Sequence, residues 1–197
     1  MILYDHPLSG NGHKVRLLLS MLELDAESRF VDVPNHAHVG VGFERLNPLL
    51  EIPVLEDGDL VVSDSQAILV HLARKHGPIW YPIDPPEVGQ VQRWLSFAAV
   101  VIATSLQPLR LVYLLNEEHD VAKLQERCAR ALGVLDGHLS DREWLVGERP
   151  TIADLACFPY VGLCGDAQLS LASYSAVKAW TERVRMLPGY VSMPGIG

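Results

Sequence analysis

Cysteine is scarce in this chain, basic residues form no block, and no long apolar run occurs. Each lack closes off a class of function. The three cysteines, Cys128, Cys157 and Cys164, are odd in number, widely spread and form no C-x-x-C, which argues against a disulfide framework and a zinc knuckle. They read as buried thiols. With a net charge of -8 and its 16 lysines and arginines scattered, the chain shows no electrostatic footprint for a nucleic-acid backbone, so nucleic acid is not expected as a partner. No stretch of about 18 uncharged apolar residues is present, so no membrane span is expected. Asp5 and His6 interrupt any apolar stretch that could serve as a secretory leader, which leaves the cytoplasm as the expected compartment. There is no internal repeat, no low-complexity segment and no G-x-S-x-G elbow of a serine hydrolase.

What is present is a globular pattern. Its 197 residues are 49% hydrophobic and 20% charged, enough to bury a sizeable core. Residues 1–76 mix short β-rich runs with helical patterns, whereas residues 87–187 show only helical periodicity. Between them "GPIWYPIDPPE" carries four prolines, which exclude a continuous helix or a central strand and make residues 77–86 a stiff linker. In the first half "MILYD" reads as a strand, followed by a helix with Val15, Leu18, Leu19 and Leu22 on one face. "SRFVDV" alternates as a second strand, a short helical piece ends near Leu46, and "IPVLEDGDLVV" predicts a hairpin around Asp57 and Gly58. In "SDSQAILVHLARKHG", Ser63 and Gln66 have capping-box spacing and Gly77 suits the C′ position. The order β-α-β-α-β-β-α predicts a thioredoxin-like α+β layer with a right-handed crossover. In the second half, Val121, Leu124, Cys128, Ala131, Leu135 and Leu139 step along one helix face. Thr151 and Asp154 have the spacing of a capping box, Pro159 should kink or shift the helix that follows, and a last helix covers residues 175–186.

Two stretches then agree with one family. "LNPLLEIPVLEDGDLVVSDSQAILVHLARKHG" resembles the N-terminal signature of cytosolic glutathione transferases, and "VGERPTIADL" resembles their C-terminal capping motif. The resemblance covers nearly the whole chain. It implies a glutathione-binding domain over residues 1–76, an all-α domain over residues 87–197 carrying the pocket for an apolar electrophile, glutathione as co-substrate, and a homodimer. Some members of the family keep the fold without catalysis, so the site residues must carry the argument.

The stretch "HPLSGNGHKV" lies where thioredoxin-like proteins place their reactive group, and it holds no cysteine. The thiol must therefore arrive with glutathione. A free thiol with a pKa near 8.5 is only about 3% ionised at pH 7, and lowering that pKa by roughly two units takes about 2.7 kcal/mol. One charge-assisted hydrogen bond contributes roughly 1.5 to 3 kcal/mol, and a helix N-terminus adds a fraction of that. Ser9 is the leading donor, at the position of the catalytic serine in serine-type members. Asn11 is its rival, since some bacterial relatives use an asparagine near this point, and the site resembles that serine/asparagine type. Gly10 and Gly12 would let the backbone approach the sulfur, Tyr4 is a minor candidate, and His13 reads as solvated or helix-capping.

The resemblance implies further contacts. Pro53 matches a family cis-proline, which would leave Ile52 N–H and C=O free to pair with the cysteinyl unit as an added strand. Ser65, at a helix N-terminus, would hold the γ-glutamyl carboxylate and Asp64 its ammonium, although Asp64 is shorter than the glutamate or glutamine common there. The alternative is that both only cap the helix. His38 would meet the glycyl carboxylate or lie in solvent, and a metal at His36-x-His38 lacks supporting ligands, so no metal is expected. Gln107, Arg110 and Tyr113 are candidates for contact with the acceptor. The chemistry expected is thiolate attack on an electrophilic carbon. Glutathione-dependent reduction of peroxides or disulfides and a non-catalytic binding module are the alternatives.

Overall fold

A computed structural model describes residues 1–196. The first half runs β1 (Ile2–Asp5), α1 (Gly10–Met21), β2 (Glu27–Phe30), β3 (Val54–Asp57), β4 (Leu60–Ser63) and α2 (Ser65–His76). The four strands form one sheet in the order β2-β1-β3-β4, with β1 parallel to β2 and the other pairs antiparallel. The second half is helical: α3 (Pro85–Phe97), α4 (Leu106–Leu115), α5 (Val121–Leu139), α6 (Ile152–Gly162) and α7 (Ser175–Arg185). The fold is the expected thioredoxin-like layer of strands and helices followed by an all-helical part. Among the described residues, no single helix is long and apolar enough to cross a membrane.

Local departures from the sequence reading have local causes. The expected helical piece before Leu46 is only a single 3-10 turn, Phe43–Arg45. Gly40 and Gly42 sit at φ 75° and 96°, outside helical space, and so prevent a longer helix from reaching Phe43. Strand β2 stops at Phe30, short of the expected run, where Asp32 begins a turn by accepting from the Asn35 N–H. Gly58 and Asp59 make the two-residue hairpin turn, with Gly58 at φ 65°. The α2 cap is Asp64 rather than Ser63, because Ser63 is still paired with Val54 in the sheet while the Asp64 carboxylate accepts from both Gln66 and Ala67 N–H. Gly77 ends α2 at φ -142°, not in a left-handed C′ conformation; a Cβ there would collide with the Leu22 side chain. Pro85 and Pro86 open α3, where a missing N–H costs nothing.

Three elements match their sequence reading closely. Helix α5 spans Val121–Leu139, α7 begins at Ser175, and α6 carries the full capping box of Thr151 and Asp154. Pro159 lies inside α6, which continues to Gly162. One core cluster joins both halves, from Leu18, Leu55 and Ile68 to Trp94, Leu132, Phe158 and Trp180. Burial of each such side chain contributes roughly 1.5 to 3 kcal/mol, so α1, packed between α2 and α6, is fixed from both sides. All three cysteines are buried free thiols, and burial pushes Cys128 up to about 11 and Cys164 up to about 12.

Candidate active site

The sheet register gathers the candidate residues at one end. Val54 pairs with Tyr4 on one side and Ser63 on the other, so the exit of β1, the entry of β3 and the exit of β4 lie side by side. The segments that follow or precede those points are the Ser9 loop, Ile52-Pro53 and Asp64-Ser65. The Ile52–Pro53 peptide is cis. Among the described residues, the Ile52 main chain makes no hydrogen bond.

Ser9 is the N-cap of α1. Its Oγ accepts from Gly12 N–H at 3.0 Å, which uses a lone pair and leaves its proton free to donate. Asn11 sits half-buried in the first turn with a side-chain amide that makes no hydrogen bond among the described residues. Both candidate donors therefore keep N–H or O–H capacity. The two glycines also have a packing reason. A Cβ on Gly10 would lie 2.8 Å from the Tyr160 ring, and one on Gly12 would strike the Asp5 carboxylate. Asp5 is buried and ion-paired with Arg16, which also donates to Pro7 C=O at 3.2 Å and so holds the loop before Ser9.

Three residues are placed otherwise than the sequence suggests. Arg110 is only 3% exposed, not on an acceptor-facing surface: it donates to Leu8 C=O at 2.8 Å and to Asp166 at 2.9 Å, bracing the Ser9 loop from α4. His13 is neither solvated nor capping. It is fully buried, bonds Val191 C=O at 2.8 Å, and is pushed down to about 4 by burial. The Tyr4 hydroxyl is occupied across the sheet, donating to Glu56 at 3.0 Å and accepting from Arg29 at 2.9 Å, which removes it as a sulfur donor. Gln107 and Tyr113 are half-buried on α4.

His38 is buried, not in solvent, with its ring edge against Phe43 at 5.5 Å between centroids. Its Nε2 lies 3.0 Å from Leu50 C=O, an acceptor, so Nε2 carries the proton. Its Nδ1 is buried and makes no hydrogen bond among the described residues. Asp64, at φ 75°, spends one carboxylate oxygen on the α2 cap and is exposed. Ser65 is buried; its hydroxyl donates to Gln66 Oε1 at 2.5 Å and accepts from Lys14 Nζ at 3.4 Å.

Residues 1–74 match the glutathione S-transferase N-terminal domain, and residues 78–188 match the glutathione S-transferase C-terminal domain. The chain belongs to the glutathione S-transferase family. Over 194 residues it is 30% identical to the disulfide-bond oxidoreductase YfcG of Escherichia coli, covering 90% of this chain and 87% of that protein. The glutathione S-transferase of Pseudomonas fluorescens has the same fold, with a TM-score of 0.92 at 31% identity and 98% of both chains covered. A glutathione transferase homologue from Drosophila mojavensis, solved with bound glutathione, aligns with a TM-score of 0.87 at 27% identity over 95% of this chain and 88% of that one.

Within this glutathione S-transferase fold, two supporting residues escaped the sequence reading. Arg16 gives no local sequence signal, because its partners Asp5 and Pro7 C=O lie on the preceding strand and loop. Lys14 carried a usable signal, because it stands four residues before Leu18 and so on a buried helix face, where a charge is out of place.

Proposed function

We propose that this protein is a glutathione transferase that holds bound glutathione as its thiolate and directs it at an electrophilic carbon of an apolar substrate. The carrying observation is the Ser9 hydroxyl: its lone pair is spent on the Gly12 N–H, its proton stays free at the N-terminus of α1, and among the described residues the Ile52 main chain makes no hydrogen bond. In this reading Ile52 pairs with the cysteinyl unit as an added strand next to Pro53, and Ser65 with the α2 N-terminus takes the γ-glutamyl carboxylate. The free oxygen of Asp64 takes the ammonium. His38 remains the candidate for the glycyl carboxylate, beside its bond to Leu50 C=O. Ser9 donates to the sulfur with Asn11 beside it, a carbon–sulfur bond forms, and the leaving group departs with its electron pair. Gln107 and Tyr113 are the remaining candidates for acceptor contact. Residues 1–76 and 87–197 act as the glutathione and acceptor domains, joined by 77–86, in a cytoplasmic homodimer with a detoxifying role.

The similarity to a disulfide-bond oxidoreductase and the unengaged Asn11 amide favour a second reading, glutathione-dependent reduction of disulfides or peroxides. Parallel assays with an aryl halide, a hydroperoxide and a mixed disulfide decide between them. Turnover of the aryl halide is the expected result. Turnover confined to the other two would replace the transferase reading with the reductase, and a size measurement near twice 21.8 kDa checks the dimer.

A further inference from the structure

Lys14 is 0% exposed, while Lys75, Lys123 and Lys178 are all exposed. Taking an ammonium out of water costs several kcal/mol unless an opposite charge compensates it. Among the described residues no carboxylate lies within ion-pair distance of Lys14. Its Nζ stands 5.8 Å from the centre of the Tyr160 ring and 3.4 Å from Ser65 Oγ. The titratable groups facing it are Asp64 from the α2 side and Cys157 and Tyr160 from α6; burial pushes both the Cys157 thiol and the Tyr160 hydroxyl up, so neither supplies a charge. Packing alone would be better served here by methionine. A buried cation held against the one serine at the N-terminus of α2 instead has the form of half an ion pair.

We propose that Lys14 is a positioning residue for an α-carboxylate bound at Ser65, donating to Ser65 Oγ so that the serine proton turns from Gln66 to the ligand, and supplying the charge that the carboxylate lacks a partner for. This rests on the glutathione-binding reading and names the γ-glutamyl carboxylate as the group recognised. The free protein is then less stable than it could be, and binding completes the pair. Burial lowers the Lys14 ammonium to about 8, with Asp64 opposing, so the charge is present at neutral pH and lost in mild alkali.

The test is calorimetric titration with S-methylglutathione, whose blocked thiol cannot titrate, and with the same ligand carrying an amide in place of its γ-glutamyl α-carboxylate. Lys14→Met is expected to fold with unchanged or raised thermal stability and to bind S-methylglutathione about tenfold or more weakly. The same substitution should barely change binding of the amide analogue. A second readout is pH: wild-type affinity for S-methylglutathione should fall between pH 7 and 9 more steeply than that of Lys14→Met. Equal weakening for both ligands, or unchanged affinity in Lys14→Met, would overturn the role of Lys14. Should Lys14→Met fail to fold, Lys14→Gln is read in the same way. No binding of S-methylglutathione to the wild-type protein at millimolar concentration would instead overturn the glutathione-site reading itself.

Discussion

Two properties meet in the Ser9 hydroxyl, and they can be separated by substitution. As a cap it accepts from Gly12 N–H, and as an acid it has a proton to give. Glycine at an N-cap costs only a few tenths of a kcal/mol, whereas alanine costs about 1 kcal/mol. Ser9→Gly is therefore expected to keep nearly all the folding stability while raising the pKa of bound glutathione by about 1 to 2 units, the equivalent of one charge-assisted hydrogen bond. Transfer activity near neutral pH should fall about 10-fold to 100-fold with it. Ultraviolet titration of the bound thiolate measures this directly. If the pKa stays put in Ser9→Gly and climbs in Asn11→Ala, the asparagine is the donor.

At the scale of elements, α6 is organised by a single buried carboxylate. Asp154 Oδ1 accepts from Leu145 N–H at 3.0 Å and from the Trp180 indole at 2.9 Å, while Oδ2 accepts from Thr151 N–H at 2.9 Å. One side chain thus caps α6, ends the loop before it and anchors α7. Both oxygens must be acceptors, and asparagine can offer only one. Asp154→Asn should turn an NH₂ toward a donor and leave buried groups unpaired, a loss of about 2 kcal/mol or more. A lowered urea midpoint with unchanged slope is the expected signature. A midpoint within error of wild type would show that the network is not what holds α6 to α7.

Across the whole molecule, the C-terminal segment is tied back to the first helix by His13 and Val191 C=O, 178 residues apart. His13 is held down to about 4 because burial disfavours its charged form, against an ordinary value of 6.5. The unfolded chain takes up a proton near pH 6.5 while the folded chain resists until about pH 4, so its contribution is complete above 6.5 and is lost as pH falls toward 4. The full loss is roughly 3 kcal/mol, since each unit is worth about 1.4 kcal/mol. His13→Gln can still donate to Val191 C=O but cannot titrate, and denaturation from pH 7 to pH 4 should show a shallower decline for it than for wild type. Parallel declines would mean that His13 does not govern the acid limb. Asp57, held down to about 2 by Lys75 and His71, contributes its own loss only below about pH 4, outside this window.

The stretches that could be read without a structure are those whose information is local. The 3.6-residue period carried α5 from Val121 to Leu139, a three-residue spacing placed the Thr151 and Asp154 box, and the hairpin turn needed only its glycine. Ser65 and Pro53 were placed the same way, by motif. Where only short-range rules applied, as in counting Ser63 as the α2 cap, the structure assigned the neighbour instead. Beyond that range the sequence was silent. Arg110 reaches a carbonyl 102 residues away, Gly10 is a glycine because Tyr160 needs its space, and Lys14 ends beneath Ser65 with no counterion among the described residues. A helix can be specified by neighbours one turn apart, but which polar group is buried against which is decided only when two packed surfaces close and exclude water between them.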